Sequence, residues 1–186
     1  MRIETRQSTN RLGLDDDLLD RVFAARGITE PAQLERGLSN LLSPADLPEI
    51  DQAAKRLADA VVEDQKILIV GDFDADGATS VALCLLALRA MGAKQVDFLV
   101  PNRFDYGYGL SPEIVQLAAA MEPRVIVTVD NGVASVDGVA LANELGIDVV
   151  VTDHHLPGDV LPNAFALVNP NVGGSFGSKA MAWMNH

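Results

Sequence analysis

Apolar and polar positions change rhythm near residue 66. Before it, apolar residues recur at helical spacing. Asp15, Asp16 and Asp17 open a predicted helix that runs to Arg26, with Gly27 as its stop. Thr29 is placed to cap a second helix beginning near Pro31. Pro44 and Pro48 interrupt the chain. A third helix is predicted over about 50–63, where Ala53, Ala54, Leu57, Ala58, Val61 and Val62 keep close to the helical period. Beyond it, short β-branched runs alternate with helical stretches. Strands are predicted at 66–71, 96–100, 124–129 and 147–152, with a fifth apolar run at 165–168. Helices fall between them at about 78–91, 112–121 and 135–145, with Ser111 as a cap and Gly92 and Gly146 as stops. Residues 101–110 read as a polar, glycine-containing loop.

Strands that alternate with helices imply an α/β fold, a parallel Rossmann-like sheet with helices on both faces. A small helical segment, 1–65, precedes it as a cap, and 66–186 form the main domain. A chain of 186 residues accommodates one domain with a short extra segment. At 48% hydrophobic and 22% charged residues it is globular. The net charge of −12, from 26 acidic and 14 basic residues, argues against the whole chain being a basic clamp on nucleic acid. It leaves open a nucleic-acid substrate whose charge is met by a metal, a local patch or another domain. Cys84 is the single cysteine, so no internal disulfide forms, which fits a reducing cytoplasm. The first residues lack the apolar core of a signal peptide, and the longest apolar run, 81–88, is too short to span a bilayer.

The chemistry gathers at the predicted strand ends. The first strand runs into Asp72, Asp74, Asp76 and Gly77, the third into Asp130, and the fourth into Asp153, His154 and His155. In a parallel sheet all strand C-termini share one edge, where ligands bind. Carboxylates crowded there repel one another unless a cation joins them. Carboxylates with imidazole suit Mn²⁺ or Mg²⁺. Two ions bridged by carboxylates, roughly 3.5–4 Å apart, would serve a phosphoryl displacement. The reaction class is hydrolysis of a phosphate ester or anhydride. Arg103 in the loop is placed to bind a phosphate, and Tyr106 and Tyr108 to stack on bases. A turn-rich connector with its tyrosines packed underneath is the competing reading of that loop.

Three rival motifs fail. An EF-hand loop beginning at Asp72 needs Glu at its twelfth position, where Leu83 stands. An aspartyl-phosphate phosphatase wants Thr or Val where Asp76 stands, and leaves Asp153-His154-His155 unexplained. No G-x-G-x-x-G follows the first strand, as a dinucleotide site requires.

Together these residues resemble the DHH phosphoesterase superfamily, whose name matches Asp153-His154-His155. Within it the chain is most similar to the bacterial single-strand-specific 5′→3′ DNA exonucleases. The similarity rests on G-D-F-D-A-D-G-A-T-S (71–80), V-P-N-R-F-D-Y-G-Y-G-L-S-P-E (100–113), V-T-V-D-N-G (127–132) and V-T-D-H-H-L-P-G (151–158). The resemblance implies that Asp74, Asp76 and His154 are metal ligands and that Asp130 binds or bridges the ions. Asp72 and Asp153 become ligands or groups that support them. His155 faces the scissile phosphate, and Arg103 contacts substrate. Asp76, Asp130, His154 and His155 would then form the catalytic group. The resemblance also implies Mn²⁺ or Mg²⁺ as cofactor, as two ions. The substrate would be single-stranded DNA, degraded to 5′-mononucleotides in recombination and repair. A single-strand-binding protein and a helicase would be partners.

The family pattern extends beyond position 186, with a fourth acidic motif, a DHHA1-type domain and often an OB-fold. Gly177 stands where the family has Pro, and Trp183-Met184-Asn185-His186 depart from it. The expectation is therefore an N-terminal portion of such an enzyme. Two alternatives stand beside an active nuclease: a metal-binding remnant without catalysis, and a small-substrate phosphoesterase of the same superfamily.

Overall fold

The computed structural model describes residues 10–35, 37 and 42–173, and leaves the side chain of Arg103 undescribed. Helix α1 (Asp17–Ala25) is capped by Asp16, whose carboxylate accepts from the Leu18 and Leu19 amides. A 3₁₀ turn at Pro31–Leu34 replaces the second predicted helix. Glu30, and not Thr29, is its N-cap, because Gln33 Oε1 takes the Thr29 and Glu30 amides. Helix α2 (Ile50–Val62) follows.

Five strands among the described residues form one parallel sheet: β1 (Ile67–Gly71), β2 (Val96–Leu99), β3 (Val125–Val129), β4 (Asp148–Thr152) and β5 (Ala166–Val168). Their order is β2-β1-β3-β4-β5. The crossovers are α3 (Ala75–Ala90), α5 (Pro112–Ala119) and α6 (Val136–Glu144), with a short α4 (Arg103–Tyr106) inside the predicted loop. The first crossover runs outward to β2 and the next returns past β1 to β3. The direction in which strands are added therefore reverses between β1 and β3, and ligands of open α/β sheets bind at such a point.

Alternate side chains of each strand feed two cores. Leu68, Val70, Ile126, Val149 and Val151 meet α5 and α6 on one face. Ile67, Ile69, Val125, Val127 and Val150 meet α2 and α3 on the other. Both faces of β1 and β3 are buried, which is why these strands read as continuous apolar runs. Between α2 and α3 an apolar groove of about 510 Å³ reaches the sheet at Val127 and Val150. Among the described residues no helix is long and apolar enough to cross a membrane.

Candidate metal centre

The end of β1 turns directly into α3. Asp74 is the N-cap of this helix: its Oδ1 accepts from the Asp76 and Gly77 amides at 3.1 and 3.0 Å. Helix α3 therefore starts at Ala75, three residues before the predicted Ala78, and Asp76 lies in its first turn. Gly77 makes this approach feasible. A Cβ there would sit 2.3 Å from the Asp72 carbonyl oxygen and 2.7 Å from its amide nitrogen. Asp72 itself is buried, with Oδ1 accepting from the Phe73 amide at 2.7 Å.

At the end of β3, Asp130 is buried and has a φ of 62°. Its amide donates to the Thr152 carbonyl at 3.1 Å, tying it to β4. Burial, above all, and the nearby Asp74 charge hold its carboxyl above the ordinary aspartate range, against the opposing hydrogen bond from His154.

At the end of β4, Asp153 organises the two histidines. Its Oδ1 accepts from the His154 and His155 amides at 2.7 and 3.0 Å and lies 2.7 Å from His155 Nδ1. Its Oδ2 accepts from the Val133 amide at 2.8 Å. His154 Nε2 stands 2.9 Å from Asp130 Oδ1. From the loop after β2, Tyr108 Oη comes within 3.0 Å of His155 Nδ1 and 3.4 Å of the Asp130 carbonyl.

Two sets of donors converge among the described residues. Asp72, Asp74 and Asp130 form one, and Asp130, His154 and His155 the other; in each, one donor atom per residue lies within 4.8 Å of the rest. Asp130 belongs to both. Hard carboxylates with imidazole, one carboxyl disfavoured as an isolated anion, are the donor set that a divalent cation such as Mn²⁺ or Mg²⁺ satisfies. The residues present therefore fit the metal. Asp76 is exposed and lines the adjoining cavity of about 410 Å³ with Asp130, Asp153 and His154, but it joins neither set. Asp153 joins neither set either, since its oxygens serve the backbone and His155. The expectation for Arg103 lies outside the described side chains.

Three asparagines hold the site and carry no role in the sequence reading. Asn169 Nδ2 donates to the His155 carbonyl at 2.9 Å, and Asn171 Nδ2 to the His154 carbonyl at 2.6 Å. Asn131 links β1 to β3 through the Val70 and Val129 carbonyls. The available signal is their place within three residues of a strand end, where a short amide side chain pairs with nearby backbone.

Residues 66–181 match the family described as "DHH family, N-terminal domain", and the chain belongs to that family. It is similar within it to one kind of exonuclease. Over 166 residues it is 55% identical to the single-stranded-DNA-specific exonuclease RecJ of Dickeya dadantii (strain 3937) and 51% identical to that of Escherichia coli (strain K12). Each alignment covers 89% of this chain and 29% of the relative, so the chain spans less than a third of their length. Among solved structures, exonuclease RecJ bound to manganese superposes with a TM-score of 0.65 at 33% identity, covering 71% of this chain and 34% of that one. RecJ from Thermus thermophilus in complex with Mn²⁺ gives 0.62 at 28% identity, covering 87% and 24%.

Proposed function

We propose that this chain carries the metal centre of a RecJ-type exonuclease that hydrolyses phosphodiester bonds in single-stranded DNA from the 5′ end. The observation that carries the reading is the sharing of Asp130 between two donor sets at the sheet's switch point. Asp72, Asp74 and Asp130 would hold one ion, and Asp130 with His154 the other, with Asp76 completing the cavity wall toward substrate. Mn²⁺ or Mg²⁺ held there would supply an activated water and neutralise charge on phosphate oxygens.

The chain's own groups arrange the rest. His155 Nδ1 lies 2.7 Å from Asp153 Oδ1 and 3.0 Å from Tyr108 Oη, and the Tyr108 hydroxyl also lies 3.4 Å from the Asp130 carbonyl. With the proton on Nδ1, Asp153 accepts it and orients the ring, and Nε2 is the nitrogen that would meet a phosphate oxygen. Phe73, Phe104, Tyr106 and Tyr108 are exposed and offer faces for unpaired bases. Stacking of this kind is compatible with the net charge of −12, which disfavours a binding mode built on phosphate contacts alone. The role follows as DNA recombination and repair in the cytoplasm, alongside a single-strand-binding protein and a helicase.

The test is release of 5′-mononucleotides from 5′-labelled single-stranded DNA with Mn²⁺, against duplex DNA and against EDTA. Mn²⁺-dependent release from single strands alone supports the reading. Binding of Mn²⁺ without any release would establish a metal-binding domain that is not catalytic. Cleavage confined to dinucleotides or pyrophosphate would move the chain to the small-substrate phosphoesterases.

A further inference from the structure

Two features at the end of β3 are unfavourable in isolation. Asp130 takes a φ of 62°, a region that residues other than glycine seldom occupy. Beside it, Asn131 is 2% exposed, and its Oδ1 has no hydrogen-bond partner among the described residues. Such features persist where the surroundings over-determine them, and they gather at functional sites.

The other half of the Asn131 amide is fully engaged. An amide nitrogen carries two hydrogens. Here Nδ2 donates to the Val129 carbonyl at 2.9 Å and to the Val70 carbonyl at 3.1 Å. The ladder between β1 and β3 ends at the pair Gly71–Val129. The side chain thus adds a cross-link where the backbone ladder stops. On one side of that link the next residues are Gly71 and Asp72; on the other, Asp130 immediately precedes Asn131. The three carboxylates of Asp72, Asp74 and Asp130 converge just past it.

The partner junction, between β3 and β4, is held by other bonds. The Asp130 amide reaches the Thr152 carbonyl at 3.1 Å, Thr152 Oγ1 donates to the Thr128 carbonyl at 2.7 Å, and the Val133 amide donates to Asp153 at 2.8 Å. Loss of the Asn131 amide therefore loosens one junction and leaves the other tied.

We infer that Asn131 is a positioning residue that sets the spacing of Asp130 from Asp72 and Asp74, and that it is required for the cation site on those carboxylates and dispensable for the site on Asp130 and His154. The inference rests on the two-ion reading above.

The experiment is a Mn²⁺ titration of the full chain, with free Mn²⁺ followed by electron paramagnetic resonance and the fold by circular dichroism. Wild type is compared with Asn131→Ala, which removes both donors, and with Asn131→Ser, which retains a shorter one. Wild type binds two ions. Asn131→Ala, with a native spectrum, binds one ion normally and the second at least about tenfold more weakly. Asn131→Ser falls between. A native-like Asn131→Ala that binds both ions with unchanged affinity, whatever its melting temperature, overturns the inference. So does failure of both variants to fold, because Asn131 is then a folding residue. Wild type that binds no Mn²⁺ or a single ion overturns the two-ion reading itself, and this outcome is distinct from the others.

Discussion

His154 Nε2 lies 2.9 Å from Asp130 Oδ1, so the imidazole at the end of β4 and the carboxylate at the end of β3 meet at one oxygen. Asp130 is at the same time one of three converging carboxylates on the β1 side. Its charge is the quantity on which both donor sets depend.

That charge is disfavoured without a cation. The Asp130 pKa is raised, chiefly by burial. The folded chain holds this proton more tightly than the unfolded chain. The resulting stability is complete below the ordinary aspartate range and is lost as pH rises through the raised folded value. At neutral pH the metal-free chain carries this penalty. Asp130→Asn removes it, and asparagine also tolerates positive φ. The metal-free melting temperature at pH 7 should therefore rise. Mn²⁺ binding should vanish. Calorimetry across the acidic range, with and without Mn²⁺, checks both; an unchanged or lower melting temperature contradicts the account.

Asp74 combines a helix cap with a place among the three converging carboxylates. Asp74→Asn keeps a capping side chain and removes the charge. Asp74→Ala removes both. Both variants should lose Mn²⁺ affinity alike, while Asp74→Ala should be less stable than Asp74→Asn by about 1 kcal/mol. Urea unfolding beside Mn²⁺ titration separates the two roles. Equal stabilities would show that the cap contributes little.

Gly77 lets the first turn of α3 rest on the Asp72 backbone. Gly77→Ala should destabilise the chain by about 1–3 kcal/mol, as overpacking does, or displace Asp72 from its carboxylate neighbours. Urea unfolding measures the first effect and Mn²⁺ titration the second. A variant of full stability and full affinity would show that the turn yields easily.

Tyr108 reaches His155 with its hydroxyl and offers an exposed ring. Tyr108→Phe keeps the ring and loses the hydrogen bond. On the proposed reading kcat on single-stranded DNA should fall about 10- to 100-fold, the range seen when a supporting hydrogen bond to a site histidine is removed, with KM little changed. Tyr108→Ala should raise KM as well. If Tyr108→Phe retains full kcat, the hydroxyl has no part in holding His155.

Much of the site can be read from the chain because its determinants are local. Short β-branched runs name the strands, and the residue after each strand lands on the common edge whatever the strand order. That places Asp72, Asp74, Asp76, Asp130, Asp153, His154 and His155 on one edge before the strand order is known. The start of α3 escapes the sequence reading for an equally local reason. Asp74 reads there as a metal donor, although its spacing to Gly77 is also that of a capping side chain. Thr29 loses its capping role to Glu30 because Gln33 reaches back to both amides.

What the chain determined alone was the alternation of strands and helices, the parallel edge, and the kind of chemistry gathered on it. These follow from side-chain periodicity and donor type, which act over a few residues. The tertiary structure alone decided the strand order β2-β1-β3-β4-β5, and with it that Asp130 stands between the β1 carboxylates and the β4 histidines. It also decided that Asp153 faces backbone amides and His155, that Tyr108 reaches across 47 residues to His155, and that Asn131 reaches across 61 to Val70. Each of those contacts depends on which strands lie side by side. That is set by the packing of both helical layers on the sheet, a sum over many distant residues that no short stretch of sequence contains.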